Sequence, residues 1–488
     1  MRKKILSIIL VITMLSLSAC GLPTAEPEED AGGTTVETET NNDANDDGTE
    51  VEVDTDTEAD TSTEADEELE VVPGDASWQD AENIEITMLT RWAEGISNMF
   101  DPLTASIESF EAQHPNVTID HVPIGGADDT QFYERMRTAA AVGDMFNIFI
   151  NYGGSTIRSF VEAGIILDLQ PSFDADPEWR DSFLDIFGMW EYDFSDGVYG
   201  LPLFYFATVL YVNTLLFEEH GLEVPTNLTE LEAVSEAFLE AGVTPIPRSG
   251  EGWRWGHWAT SFIMQSYGSE LIYGLANRTH RYDGPEMMGI AERFLDWQSR
   301  GFFGDNIASL DSQTESLMFA MGESPMIAIG TWLPQTVSIN NPDLIPYIDV
   351  VWFPYNESFP EMRYGAMGGP NEGLSISIDD DPNVTAATLA FLKYLTSEDT
   401  VTRMWEVAPY SLFSVRTVAP PAAMNDLTRR SMELIHSVTP LLMHEMNMYD
   451  PIAGMQDIVR NAYAGMMAGG SAEEAMGRIQ SEIDAHDN

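Results

Sequence analysis

An α/β fold with more than one domain is what this sequence predicts, on three observations. The first is the order of hydrophobic periods after residue 83: alternation, helical stripe, alternation, helical stripe, then a short apolar run. That is the βαβαβ order from which parallel sheets are built. The second is length, since about 400 residues follow residue 82, enough for two domains with full cores. The third is that aromatic residues gather just after apolar strands, where α/β folds hold ligands.

The elements follow in order. Residues 84–89 (IEITML) alternate polar and apolar and predict a strand; 104–113 predict a helix; 117–124 (VTIDHVPI) predict a second strand. Phe132, Met136 and Ala139 or Ala140 share one face of a second helix, and the apolar run 146–150 predicts the third strand. Much later, 326–329 (MIAI) predict a strand that runs into Gly330, Thr331 and Trp332. No internal repeat is visible, and no run beyond the N-terminus has the length of a membrane span.

Ahead of this region stand two segments of different character. Arg2, Lys3 and Lys4 precede an apolar run from Ile5 to about Leu17, a basic head and short apolar core of the secretory type. The single cysteine of the chain, Cys20, follows at once. It can form no intramolecular disulfide, and it has no partner at metal-ligand spacing. Leu17-Ser18-Ala19-Cys20 resembles the bacterial lipoprotein signal, which implies cleavage after residue 19 and lipidation of Cys20. Several acyl chains would hold the protein on a membrane where one would not. From Ala25 to Glu82 there are 23 Asp or Glu and no Lys or Arg. Such a tract buries too little apolar surface to offset its ordering entropy, so 20–82 is expected to be an anchored, extended tether. Asp43-Ala44-Asn45-Asp46-Asp47-Gly48 with Asp54 approaches a calcium-loop spacing. It lacks the closing Glu and flanking helices, so no metal site is expected.

The formal net charge of −59 makes nucleic acid and anionic ligands unfit partners. No phosphate-binding Gly-rich loop with Lys, no GxSxG elbow and no HExxH occurs, and the His residues stand singly. The sequence therefore nominates no catalytic residue and no cofactor. It does nominate aromatics. "GEGWRWGHW" places Trp253, Trp255 and Trp258 within six residues, beside Glu251 and Arg254. Trp92 and Tyr152 sit after strands, Trp332 after another, and Tyr205 and Phe206 in "LPLFYF". Flat aromatic faces with a few polar groups suit a sugar ring, which has apolar C–H faces and a hydroxyl rim. Trp258 and Phe206 are the members most readily explained as core.

Three stretches, "YERMRTAAAVGDMFNIFINYGGSTIRSFVEAGIILDLQP", "DGVYGLPLFYFATVLYVNTLLFEEHGLEVPTNLTELEAVSEAFLEAGVTPI" and "FGDNIASLDSQTESLMFAMGESPMIAIGTW", with "TAATLAFLKYLTSED" later, are together similar to the extracellular solute-binding proteins of carbohydrate ABC importers, the family of maltose-binding protein. One departure is Gly143-Asp144-Met145-Phe146-Asn147, where the family commonly has Gly-Asp-x-Pro-Asp. The resemblance implies an α/β, two-lobed periplasmic-binding-protein-like fold with an interlobe ligand cleft and several hinge crossings. It implies lobe segments 83–203 and 353–411 against 204–352 and 412–488, with crossings near Leu203, Trp352 and Leu412. By position it implies a ligand site of Arg91, Trp92, Asn151, Tyr152, Tyr205, Phe206, Glu251, Trp253, Trp255 and Trp332, with Arg363 as a further candidate. The implied function is capture of a sugar or oligosaccharide, and its delivery to ABC permease subunits, by a monomer held through Cys20 on the outer face of the cytoplasmic membrane. The competing readings are a secreted, lipid-anchored carbohydrate-active enzyme and the sugar-sensing module of a membrane receptor.

Overall fold

The structure is a computed structural model, and it describes residues 77–125, 129–191, 197–305, 307–438 and 441–487. The signal-like segment, Cys20, the calcium-like motif and nearly all of the acidic tract lie outside the described residues. The folded region begins before residue 83, however. Trp78 is buried, its ring 6.4 Å from Phe110 and 4.9 Å from His114, and Asn116 Nδ2 donates to its carbonyl at 2.9 Å. The last residues of the expected tether are thus packed against the first helix, because an indole there has a hydrophobic seat.

Two five-stranded sheets organise the chain. The first contains β1 (Ile84–Thr90), β2 (Val117–Pro123), β3 (Ile148–Asn151), β4 (Leu201–Pro202) and β9 (Gly373–Ile376), in the order β2-β1-β3-β9-β4. β1 pairs in parallel with β2 and β3, as the βαβαβ reading requires; β9 then runs antiparallel to β3 and β4. The second sheet contains β5 (Tyr205–Asn213), β6 (Met326–Gly330), β7 (Ile348–Trp352), β8 (Gly365–Pro370) and β10 (Leu441–Met443). Every residue of β5 is buried, which marks it as the central strand, and it pairs antiparallel with β6, β7 and β8. These are the two lobes of an α/β fold. Among the described residues no helix is long and apolar enough to cross a membrane.

Helices start where side chains satisfy their free amides. Asn227, Asp381, Ser397, Asn425 and Ser471 each accept a bond from a first-turn N–H. The Pro382–Leu395 helix packs on the first sheet against β1 and β9, and its Phe391 ring lies 5.0 Å from Phe110 of the Phe100–Gln113 helix. In the second lobe the Gly252–Ser266 helix lies on β8, and the Met455–Met467 helix lies on it in turn. That approach is close because Gly252 and Gly256 form a bare stripe: a Cβ on Gly252 would overlap the Arg460 backbone, and one on Gly256 the Glu445 carboxylate.

Between the sheets the chain crosses as adjacent, hydrogen-bonded segments. Leu203 and Phe204 donate to the Glu372 carbonyl at 3.0 and 3.2 Å, Tyr205 donates to Leu412, and Ser414 donates to Leu203. The change of sheet expected near Trp352 falls later, at Asn371 and Glu372. β8 still pairs with β5, and only β9 joins the first sheet. The Gly368-Gly369 pair explains this: a Cβ on Gly368 would overlap the Phe206 carbonyl, so β8 can lie against β5 only with glycine there.

Candidate ligand-binding cleft

A cavity of about 790 Å³ opens between the lobes at the ends of the strands. From the first lobe it receives Arg91 and Trp92, which follow β1, and Tyr152, which follows β3. The crossings supply Phe204, Tyr205, Phe206 and Glu372. From the second lobe come Trp332 after β6, Trp253 and His257 on the Gly252–Ser266 helix, His444, and Arg460.

The aromatic side chains are held in place by contacts behind them. Trp92 is buried, donates from Nε1 to Glu372 Oε2 at 3.0 Å, and meets Phe204 edge-on. Arg91 Nη1 donates to the Tyr152 hydroxyl. Across the cleft the Trp332 ring lies over Gly330, where a Cβ would overlap it. Its centroid is 5.4 Å from Phe206 and 6.3 Å from Trp253. Trp253 Nε1 donates to Glu251 Oε2 at 2.9 Å, and Glu251 also accepts from the Ser312 amide at 3.2 Å. Three aromatic rings thus form one wall, with Trp92 and Tyr152 on the other lobe.

The floor is polar and charge-balanced. Glu445 is fully buried and takes two bonds from Arg460 Nε and a third, at 2.6 Å, from its Nη2. Breaking such a pair leaves an uncompensated buried charge. His444 Nδ1 accepts from the Glu445 amide at 2.8 Å, which puts the ring proton on Nε2. Burial, and secondarily Arg460, holds His444 down to about 3, so it is neutral at physiological pH. The same causes, burial first and then Arg460 and Arg254, hold His257 well below its ordinary value. His257 and Asn98 line the cavity with other atoms, while His257 Nδ1 and Asn98 Nδ2 are buried with no hydrogen-bond partner among the described residues.

Seven of the sequence-predicted residues meet here: Arg91, Trp92, Tyr152, Tyr205, Phe206, Trp253 and Trp332. Four do not. Asn151 is fully buried; its Oδ1 accepts from Gly153 and Trp190 and its Nδ2 donates to Ser375, so it shapes the loop beneath Tyr152. Glu251 stands one layer back, holding Trp253. Trp255 is core, packed among Trp258, Phe294 and Phe303. Its segment is a helix and not a loop, and two residues of helix turn a side chain to the opposite face. Trp258 is likewise fully buried. Arg363 is exposed, with its guanidinium 4.6 Å from the Tyr364 ring, and does not line the cavity. His257, His444, Arg460 and Glu372 were missed. His257 alone had a signal, standing four residues after Trp253 and so on the same helical face.

With this geometry in hand, comparison identifies the family. The family model described as "Bacterial extracellular solute-binding protein" matches residues 95–402, and the chain belongs to that family. No curated protein matches. Among solved structures, a chitin oligosaccharide binding protein is similar at 21% identity and a TM-score of 0.73, over 83% of this chain and 99% of its own. A structure from work on xylan utilization by the thermophilic bacterium Caldanaerobius polysaccharolyticus is similar at 20% identity and 0.72, over 82% and 100%. The solute-binding protein RafE in complex with raffinose follows at 17% and 0.65, over 83% and 100%.

Proposed function

We propose that this protein captures a sugar or oligosaccharide outside the cell and delivers it to an ABC permease. The observation that carries this reading is the cleft: Trp253, Trp332 and Phe206 form an aromatic wall facing Trp92 and Tyr152, over a floor whose buried charges are paired and whose imidazoles are neutral. A neutral ring with apolar faces and a hydroxyl rim meets such a site without leaving a charge unpaired. The oligosaccharide named for one similar structure and the raffinose bound in another agree in ligand class. Family membership agrees in location.

Capture is binding without chemistry. The ligand touches both lobes at once, so its differential affinity draws the lobes together about the crossings at Leu203–Phe204, Asn371–Glu372 and Leu412. Closure gives the permease a shape to recognise. Glu372 is the one carboxylate lining the cleft among the described residues, and it holds Trp92. Glycoside hydrolysis uses a pair flanking the bond, which favours binding. Lipidation at Cys20 would keep the protein beside its permease, with the acidic tract as tether.

The test is a thermal-shift panel on the full chain with xylo-oligosaccharides, chito-oligosaccharides, raffinose and monosaccharides. A ligand at a hundred times its Kd adds about 2.7 kcal/mol of stability, so a sugar that fits raises the melting temperature visibly. No shift with any of these sugars would overturn the proposed ligand class.

A further inference from the structure

The rim of the cleft differs from its aromatic wall. Eleven large apolar side chains are exposed among the described residues, and three of them, Ile96, Leu317 and Ile339, line this one cavity. They stand on both sides of it. Ile96 belongs to the first lobe, in the turn after β1, whereas Leu317 and Ile339 belong to the second, on the Ser312–Ala320 and Leu333–Asn340 helices, which pack on each other. At 61%, 41% and 67% exposure, all three are left largely in water.

Neither rim is loose. The turn that carries Ile96 is closed by bonds from the Ile96 and Ser97 amides to the Ala93 carbonyl, at 3.1 and 3.0 Å, and the side chain rests on Gly125, where a Cβ would overlap its Cδ1. Across the opening, Leu317 shares a helix face with Gln313 and Ile339 with Gln335, and all four line the cavity. The helices thus turn branched aliphatic groups toward the mouth. Such groups offer a sugar neither a flat face to stack on nor a partner for its hydroxyls, so they suit each other better than they suit the ligand.

We propose that the two rims form a latch: as the lobes close, Ile96 packs against Leu317 and Ile339 and shuts the mouth of the cleft. The latch rests on the closing motion of the reading above, but adds a driving force that the ligand does not supply. Its three side chains leave water only in the closed form. The contact therefore raises the closed population of the empty chain, and apparent affinity rises with that population for every ligand alike. Sugar beneath the latch leaves only after it opens, so the effect falls on dissociation.

Two measurements test this, the first without sugar. In the full chain carrying Cys20→Ser, which removes the only cysteine, Ile96→Cys with Ile339→Cys is treated with diamide at dilute protein concentration. A disulfide needs Cα atoms within about 7 Å, so it forms only when the rims meet. Val142→Cys with Ile339→Cys is the control, since Val142 is exposed and does not line the cavity. Faster intramolecular cross-linking of the rim pair is expected, and cross-linking no faster than in the control would overturn the latch. The second measurement is calorimetry and stopped-flow dissociation with raffinose, xylotriose and chitotriose. Ile96→Ser should weaken every sugar that binds by the same several-fold factor, through faster dissociation, and adding Ile339→Ser should cost little more because the contact is already broken. Unchanged affinity in Ile96→Ser, additive losses, or a loss confined to one sugar would each overturn the latch, the last two by showing that these side chains touch the ligand. Because cross-linking is read without sugar, the latch and the ligand class stand or fall separately.

Discussion

Trp253 and Trp255 stand two residues apart on one helix, and the structure assigns them opposite work. Truncating each to Ala separates the assignments. Trp255 has no exposed surface and packs 5.2 Å from Phe303 and 5.6 Å from Phe294, with the Arg248 guanidinium 4.8 Å from its ring. Removing a core Trp costs about 3–5 kcal/mol. Arg248 is fully buried and would lose one of its two aromatic faces, about 1 kcal/mol more. Trp255→Ala should therefore lower the ligand-free melting temperature by at least about 5 °C, while the folded fraction binds sugar normally. Trp253 lines the cleft, and its loss should cost about 2 kcal/mol of binding, roughly thirtyfold in Kd, with little change in the ligand-free melt. Scanning calorimetry without sugar and titration calorimetry with it read the two quantities on both variants. If Trp253→Ala melts as low as Trp255→Ala, or if Trp255→Ala weakens sugar binding as much as Trp253→Ala, the division of the helix into a cleft face and a core face is wrong.

Gly330→Ala should displace the Trp332 ring, which a methyl there would overlap, and weaken sugar binding about tenfold; unchanged affinity by calorimetry would show that the ring's position does not matter. Folding should depend on pH through the cleft histidines. His444 is held at about 3 against 6.5 for a free imidazole, and His257 is also lowered. The unfolded chain thus takes up protons that the folded one refuses, and stability falls as pH drops below 6.5 toward 3. His444→Asn, whose Oδ1 can still accept from the Glu445 amide, should flatten the dependence of melting temperature on pH between 6.5 and 5; an unaltered slope would contradict this. Glu445→Gln should cost about 3 kcal/mol in urea unfolding by stripping Arg460 of its buried counter-charge, and wild-type stability would refute the pairing. Cys20→Ser should move the protein from the membrane fraction to the medium, whereas retention through a high-salt wash would count against lipidation.

What the sequence disclosed follows period and local chemistry. The β1-to-β3 unit was legible because alternating residues 84–89 and the stripe of Phe132 and Met136 are local signals. Trp92, Tyr152 and Trp332 were legible as cleft residues because each follows an apolar strand. Trp255 was misread because "GEGWRWGHW" looks like a glycine-bounded loop. Its glycines instead form the bare stripe that lets Glu445 and Arg460 approach, and with helical geometry the tryptophans divide between two faces. Glu372 left no mark because its partner Trp92 lies far away in sequence, and His444 and Arg460 left none because only the fold sets their segment against the Gly252–Ser266 helix and the cleft. The late change of sheet at Asn371 was hidden because Gly368 permits β8 to lie against β5, while only the tertiary fold brings Phe206 to it.

The central claim is that the cleft takes up an oligosaccharide and leaves it unchanged. Titrating the full chain with the sugar that most raises its melting temperature, then recovering that sugar after prolonged incubation, tests both halves together. The account predicts one-to-one binding that Trp332→Ala weakens about thirtyfold, with the oligosaccharide returned at its original length. Shorter sugars accumulating beyond the amount of protein, or binding that Trp332→Ala leaves untouched, would contradict it.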